Sequence, residues 1–234
     1  GFTRTGGTCG ATLAAGASCT VIVTYTPTGG ISHSRNLTIA GGSGVTSATI
    51  PMSGSVTGQT LSITSAATDY SLYNAYVTAF GTPTAAVNLT VTLSASVTIK
   101  ASSTSTAAFV TGTFPSGSVL QLVNNGRIIG KGGIGGQGGH SGSVGMPGGA
   151  GGPAISLQSA LSIDNKGFIG GGGGGGAGSK GKTYTHSADG GGGGGGGAGY
   201  GVGGNGGYGN PSTGNSGSAG TAVAGGLGGF AGYN

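Results

Sequence analysis

Side chains able to do acid–base chemistry are few. The 234-residue sequence contains three aspartates, Asp69, Asp164 and Asp189, and no glutamate. Cleaving a glycosidic bond takes two carboxyl groups on either side of it, and these three lie far apart along the chain. The histidines, His33, His140 and His186, lack the close spacing that holds zinc, and neither an acid nor a histidine lies near Cys9 or Cys19. Serines are plentiful, but no Gly-x-Ser-x-Gly turn presents one as a nucleophile. The stretch Gly178-Ser179-Lys180-Gly181-Lys182-Thr183 lacks the leading glycine spacing of a phosphate-binding loop. We therefore expect no enzyme activity, no cofactor and no metal.

What remains is contact chemistry. Between two glycine tracts, residues 179–189 gather Lys180, Lys182, Tyr184, His186 and Asp189, while the flanks carry no functional side chains. Tyrosine is a frequent anchor in contact surfaces, lysines attract anionic surfaces, and binding residues commonly sit on loops held by a rigid scaffold. Tyr184 and His186 are the expected contacts, with Lys180 and Lys182 steering. Met146, in the turn that begins at His140, and Tyr208 and Asn210, in another, join this surface if their turns share its end. The alternative is a solvated loop that only reverses the chain.

The elements that would position these residues are β-like. Residues 20–26, 35–39 and 48–52 alternate in the strand period, and glycine pairs separate them. Residues 61–64, 87–93 and 97–99 alternate again, and 107–110 and 114–122 close this second β-region. Tyr70, Tyr73 and Tyr76 interrupt it; they read as packing against the sheet or as an aromatic sugar platform. No stretch has capped helical periodicity, so the chain is expected to contain no α-helix. The fold class is all-β: a β-sandwich portion over 1–58, a β-region over 59–122, and a glycine-rich domain over 123–234.

Gly130, Gly133, Gly136, Gly139, Gly142, Gly145, Gly148 and Gly151 keep an unbroken three-residue phase. A flexible linker has no reason to hold that phase. A polyproline-II-type helix does, because it has three residues per turn. It makes no internal hydrogen bonds, so its N–H and C=O groups need partners on adjacent helices. Too little proline is present for collagen, which leaves antiparallel polyglycine-II segments with turns near 140–147, 179–189, 210–217 and 222–225. Ile134, Ile155, Leu157, Leu161, Ile163, Phe168 and Ile169 are expected to seal a seam to the β-region. Asn124-Asn125-Gly126-Arg127-Ile128-Ile129-Gly130 recurs as Asn165-Lys166-Gly167-Phe168-Ile169-Gly170-Gly171, each time leading into a glycine tract.

Cys9 and Cys19 flank a short glycine-containing turn and are expected to form a disulfide, the alternative being two buried free thiols. The net charge of +5 is scattered, which argues against nucleic acid. No apolar run is long enough to enter a membrane. The opening Gly1-Phe2-Thr3 reads as the start of a fragment or a processed piece. Asn36-Leu37-Thr38 and Asn88-Leu89-Thr90 match the glycosylation pattern without carrying weight here.

Two resemblances follow. Residues 8–28, with the closing Ile50-Pro51-Met52-Ser53-Gly54-Ser55-Val56, resemble the choice-of-anchor D or ASH-type immunoglobulin-like domain of bacterial surface proteins, which implies a spacer or adhesive module. The Asn-x-Gly-x-Ile-x-Gly pattern and the tracts after it resemble the C-terminal regions of phage tail-tip and tail-fibre receptor-binding proteins. That resemblance implies a layered polyglycine-II bundle whose end turns bind a bacterial outer-membrane protein or surface glycan, at a virion tail tip or otherwise extracellularly. A structural fibre or appendage subunit, self-packing through its glycines, is the alternative. An ice-binding face would need ranks of Thr or Ala, which the tracts lack. Both a monomer and a homotrimer are compatible with the sequence.

Overall fold

In the computed structural model, residues 1–26, 32–42, 45–55, 57–183 and 188–232 are described. Strands β1 (Phe2–Gly6) and β2 (Ile22–Tyr25) form one antiparallel pair, and β3 (His33–Ile39) and β4 (Ala48–Gly54) another. Tyr25 links the two pairs. Its ring packs tilted against Phe2, centroids 4.8 Å apart, and its hydroxyl meets His33 Nδ1 at 2.9 Å. A disulfide joins Cys9 to Cys19 and closes the long connection from β1 to β2.

The next part is a parallel solenoid. Strands β5 (Gln59–Ile63), β6 (Ala67–Thr68) and β7 (Tyr70–Ser71) form one coil. A helix, α1 (Leu72–Phe80), leads out of it. Strands β8 (Asn88–Leu93), β9 (Thr98–Lys100) and β10 (Phe109–Val110) form the second coil. The third is β11 (Val119–Asn124), β12 (Arg127–Ile129) and β13 (Ile155–Ser156), and β14 (Ser162–Asn165) with β15 (Phe168–Gly170) begin a fourth. Each strand lies parallel to its counterpart one coil away, giving sheets ordered β5-β8-β11-β14, β6-β9-β12-β15 and β7-β10-β13.

Like positions stack along the solenoid. Leu61, Val91, Leu122 and Ile163 share one register line, and Ile99, Ile128 and Ile169 another. Leu89, Val91, Leu93, Ile99, Leu122 and Ile128 are fully enclosed, each stabilising the fold by about 1.5–3 kcal/mol through removal from water. The line through Ile63 and Leu93 ends in asparagines. Buried Asn124 donates to Asn165 Oδ1 at 2.7 Å, 41 residues on, and its own Oδ1 accepts the Gly126 N–H at 3.1 Å. The recurring Asn-x-Gly-x-Ile-x-Gly is thus one rung laid on the next.

The helix corrects the expectation of none. Ser71 caps its start by accepting the Asn74 N–H, and Gly81, at φ 83°, ends it. Leu72 and Tyr76 are its buried face, and Tyr73 and Tyr76 both meet Phe114 edge-on. Tyr70 stacks on Phe109 at 5.7 Å. A nine-residue helix with two buried residues leaves too short a period to register in the sequence.

From β12 and β15 the chain runs into seven extended glycine segments: 130–139, 143–152, 170–181, 189–199, 200–209, 212–221 and 224–232. They bond every third residue. Gly130, Gly133, Gly136 and Gly139 donate to Gly170, Gly173, Gly176 and Ser179, carrying the parallel register of β12 and β15 onward unchanged. Gly172, Gly175 and Gly178 donate to Gly152, Gly149 and Met146 of the antiparallel second segment. In the first segment residues 132, 133, 135, 136, 138 and 139 are buried, while Lys131, Ile134 and Gln137 are not. The fourth segment is the hub, and Gly190 to Gly197 are all buried. Its unbroken glycine follows from being surrounded, since a Cβ there would overlap a neighbour's backbone at every one of these positions.

Chain reversals occur at 140–142, 180–189 and around 222–224, as expected, and also at 198–200. This last turn holds Gly199 at φ 85° and Tyr200 at φ 63°, and the uniform glycine around it hides it in the sequence. The segments are not all antiparallel, since the third runs parallel to the first. The expected apolar seam is only partly formed: Ile155, Leu161 and Ile169 pack on the core, whereas Ile134, Leu157, Ile163 and Phe168 are exposed.

Candidate functional site

One end of the glycine bundle collects most of the residues singled out above. The first two segments are joined there by a tight turn in which Ser143 donates to the His140 carbonyl at 2.6 Å, with Gly142 at φ 86°. The third and fourth are joined by a hairpin of β16 (Lys182–Thr183) and β17 (Ala188–Asp189). The fifth and sixth are joined through β18 (Pro211–Ser212), which lies parallel to β17.

Hydrogen bonds tie the three connections together. The Tyr208 N–H donates to His140 Nδ1 at 3.0 Å. Gly181 donates to the Ser143 carbonyl at 3.1 Å, and Ala188 to the Asn210 carbonyl at 2.8 Å. Asp189 is 4% exposed, and one carboxylate oxygen accepts the Ser212 hydroxyl at 2.7 Å. A shallow depression of about 470 Å³ is lined by Gly142, Lys180, Gly181, Lys182 and Thr183.

This end is basic and apolar. Lys180 and Lys182 are exposed, whereas the nearby carboxylate of Asp189 is buried. Val144 is 77% exposed, Met146 58% and Tyr208 63%. Burying such side chains against a partner is favourable at about 25 cal/mol per Å². Met146, Lys180, Lys182, Tyr208 and Asn210 are therefore brought to one end. Tyr184 and His186 lie outside the described residues. The sequence reading missed the part Asp189 plays here, that of an internal anchor for β18; its position directly before Gly190, where the chain enters the hub, is the signal for it.

The other titratable groups lie elsewhere. Asp69, at φ 52°, accepts the Ser102 hydroxyl at 2.5 Å and the Ser102 N–H at 2.9 Å, linking corners of two solenoid coils. These bonds, the hydroxyl's first, hold its carboxyl below the usual carboxylate range. Asp164 pairs with Lys166 at 3.0 Å on the exposed last rung. The three aspartates thus have separate surroundings. Among the described residues no cluster of His, Cys, Asp or Glu could hold a metal ion, and no helix is long and apolar enough to cross a membrane.

The family model of the phage tail fibre adhesin Gp38 matches residues 58–234. No curated protein and no solved structure matches the chain. The matched region holds the solenoid, the glycine segments and the end where the three connections meet, and the chain belongs to the Gp38 family of phage tail fibre adhesins.

Proposed function

We propose that this adhesin recognises a bacterial surface protein or glycan through the end of the bundle where the turn at His140, the 180–189 hairpin and the 208–212 connection meet. The observation carrying this reading is the Tyr208 to His140 bond, which with its backbone neighbours holds three side-chain-bearing connections on a rigid, otherwise featureless scaffold. Tyr208, Met146 and Val144 supply apolar contact, and Lys180 and Lys182 favour an anionic surface. Tyr184 and His186 belong to the same connection by sequence.

The rest of the molecule serves as support. The glycine segments are read as polyglycine-II helices, supported by their bonding at every third residue. The two N-terminal strand pairs, packed through Tyr25, are read as part of an immunoglobulin-like spacer over 1–58, with the solenoid beyond it carrying the glycine bundle as the tip. The chain acts without catalysis at the virion tail tip, and because all three connections come from one chain the site requires no homotrimer.

The test is adsorption to host cells by the isolated chain. Replacing Lys180 and residues 182–187 by Gly/Ser with Asp189 kept, or Tyr208 by Ala, is expected to lower adsorption at least about tenfold, equivalent to about 1.4 kcal/mol, with melting unchanged. Undiminished adsorption by correctly folded variants refutes the assignment.

A further inference from the structure

The hub segment, 189–199, has five neighbours. Around it the order is the first, fifth, sixth, seventh and third segments. Successive members of this ring bond one another: Gly135 to Val202, Gly217 to Gly204, Ser218 to Leu227, and Gly133 to Gly173. Among the described residues no bond closes the ring between the seventh and the third.

A rod with three residues per turn presents three columns of C=O and three of N–H. All three C=O columns of the hub are occupied. Gly191, Gly194 and Gly197 accept from the fifth segment, Gly190, Gly193 and Gly196 from the seventh, and Gly192, Gly195 and Ala198 from the third. Two N–H columns are also occupied, toward the first and sixth segments. In the remaining column Gly192 donates to Ser179 Oγ at 2.7 Å. Gly195 and Ala198, next in that column, have no hydrogen-bond partner among the described residues. Gly195 is buried, and a buried unpaired N–H is uncommon.

These groups face a slot between the third and seventh segments. A Cβ on Gly176 would meet only hub backbone, the Gly195 nitrogen nearest at 3.3 Å, and a Cβ on Gly173 would lie 3.1 Å from the Ala198 nitrogen. On the other wall, Cβ atoms on Gly225 and Gly228 would each have one neighbour within 4 Å, the Gly196 and Gly193 oxygens at 3.5 and 3.6 Å. Both walls are therefore free of side chains over the stretch where the hub lacks an acceptor. Ser179 shows what that stretch lacks, since its hydroxyl takes the place of a neighbouring carbonyl.

We propose that this slot is a docking site for one more extended glycine-rich strand, supplied by another polypeptide. Such a strand offers a carbonyl every third residue to Gly195 and Ala198, and it must be glycine where it passes Gly176 and Gly228. A folded second copy has no free strand to donate, because each of its seven segments is already bonded into its own bundle. The site is separate from the connections at the bundle end and does not depend on them.

The experiment uses the full chain and a synthetic peptide with the sequence of residues 130–139, in which Lys, Ile and Gln share one column and glycine fills the other two. Binding is read by fluorescence anisotropy, and hydrogen exchange is followed at individual amides. The expected result is saturable binding, with exchange at Gly195 and Ala198 slowed at least about tenfold. Gly228→Leu, or Gly225→Leu as a second block, is expected to weaken binding at least about tenfold with melting unchanged, while Gln137→Leu binds as the parent does. Three results overturn the proposal: unchanged exchange at Gly195 and Ala198 with millimolar peptide, binding insensitive to both blocking variants, or a sedimenting dimer that the blocking variants dissolve, which makes the occupant a second copy.

Discussion

Gly174 and Gly175 are adjacent and chemically identical, yet a methyl group should have opposite effects at the two. A Cβ on Gly174 would have one neighbour within 4 Å, the Gly149 oxygen at 3.7 Å, an ordinary contact. Alanine there narrows the unfolded ensemble and is expected to stabilise by about 0.4–1 kcal/mol. On Gly175 the methyl would overlap the Ile134 carbonyl oxygen, with the Gly135 nitrogen only 2.9 Å away. The first and third segments must then separate, which loosens the Gly133 to Gly173 and Gly136 to Gly176 bonds, and the Gly175 to Gly149 bond with them. Three bonds at about 1 kcal/mol each, with overpacking strain of about 1–3 kcal/mol, give a loss of about 4–6 kcal/mol. At about 2–4 °C per kcal/mol for a chain of this size, calorimetry should show a rise of about 1–4 °C for Gly174→Ala and a fall of about 8 °C or more for Gly175→Ala. Equal shifts, or a Gly175→Ala protein melting within a degree of the parent, would refute the argument that period-three close approach holds the bundle.

Further outcomes follow from other parts of the fold. Breaking the Cys9–Cys19 bridge, whose members are 10 residues apart, should destabilise the N-terminal strand pairs by about 2–3 kcal/mol and leave the bundle's melting unchanged; intact mass under non-reducing conditions checks that the bridge forms. Asn124→Ala removes the acceptor for the buried Gly126 N–H and should cost about 1–3 kcal/mol in denaturant titrations. Asp69 has a folded-state pKa depressed by its Ser102 bonds. Its contribution is therefore present above the unfolded value of about 3.9 and is lost as pH falls through the lower folded value. Melting temperature should drop from about pH 5 to pH 2, and drop less in Asp69→Asn; identical profiles for the two proteins would count against this.

The glycine phase was legible because it is a steric rule written at every third position, and Gln137 falls on the open column as that phase requires. The solenoid was not legible as such. Its coils carry excursions of different lengths, α1 in the first and two glycine segments in the third, so no uniform period runs through residues 59–170. Only the last two rungs kept a repeat, anchored by Asn124 and Asn165. The helix was missed because Leu72 and Tyr76 give it a single pair of buried residues. The turn at 198–200 was missed because a reversal built from Gly199 leaves no contrast with its surroundings. At the bundle end, Lys180, Met146 and Tyr208 stand out against glycine, but their convergence depends on backbone bonds that their own side chains do not encode.

The unchanged register running from β12 and β15 into the first and third segments has a consequence for length. A run of identical glycines carries no mark of its own position, so sliding one segment past another by three residues restores nearly the same bonds. The stacked Ile128 and Ile169 and the Asn124–Asn165 pair supply the missing origin, fixing where counting begins. Beyond that origin the lattice has a unit of three. Paired segments can gain or lose whole triplets and move the connected end outward or inward along the bundle axis. A single inserted residue instead turns every later side chain into a neighbour's backbone. The bundle is in effect a telescoping mount whose reach changes in discrete steps.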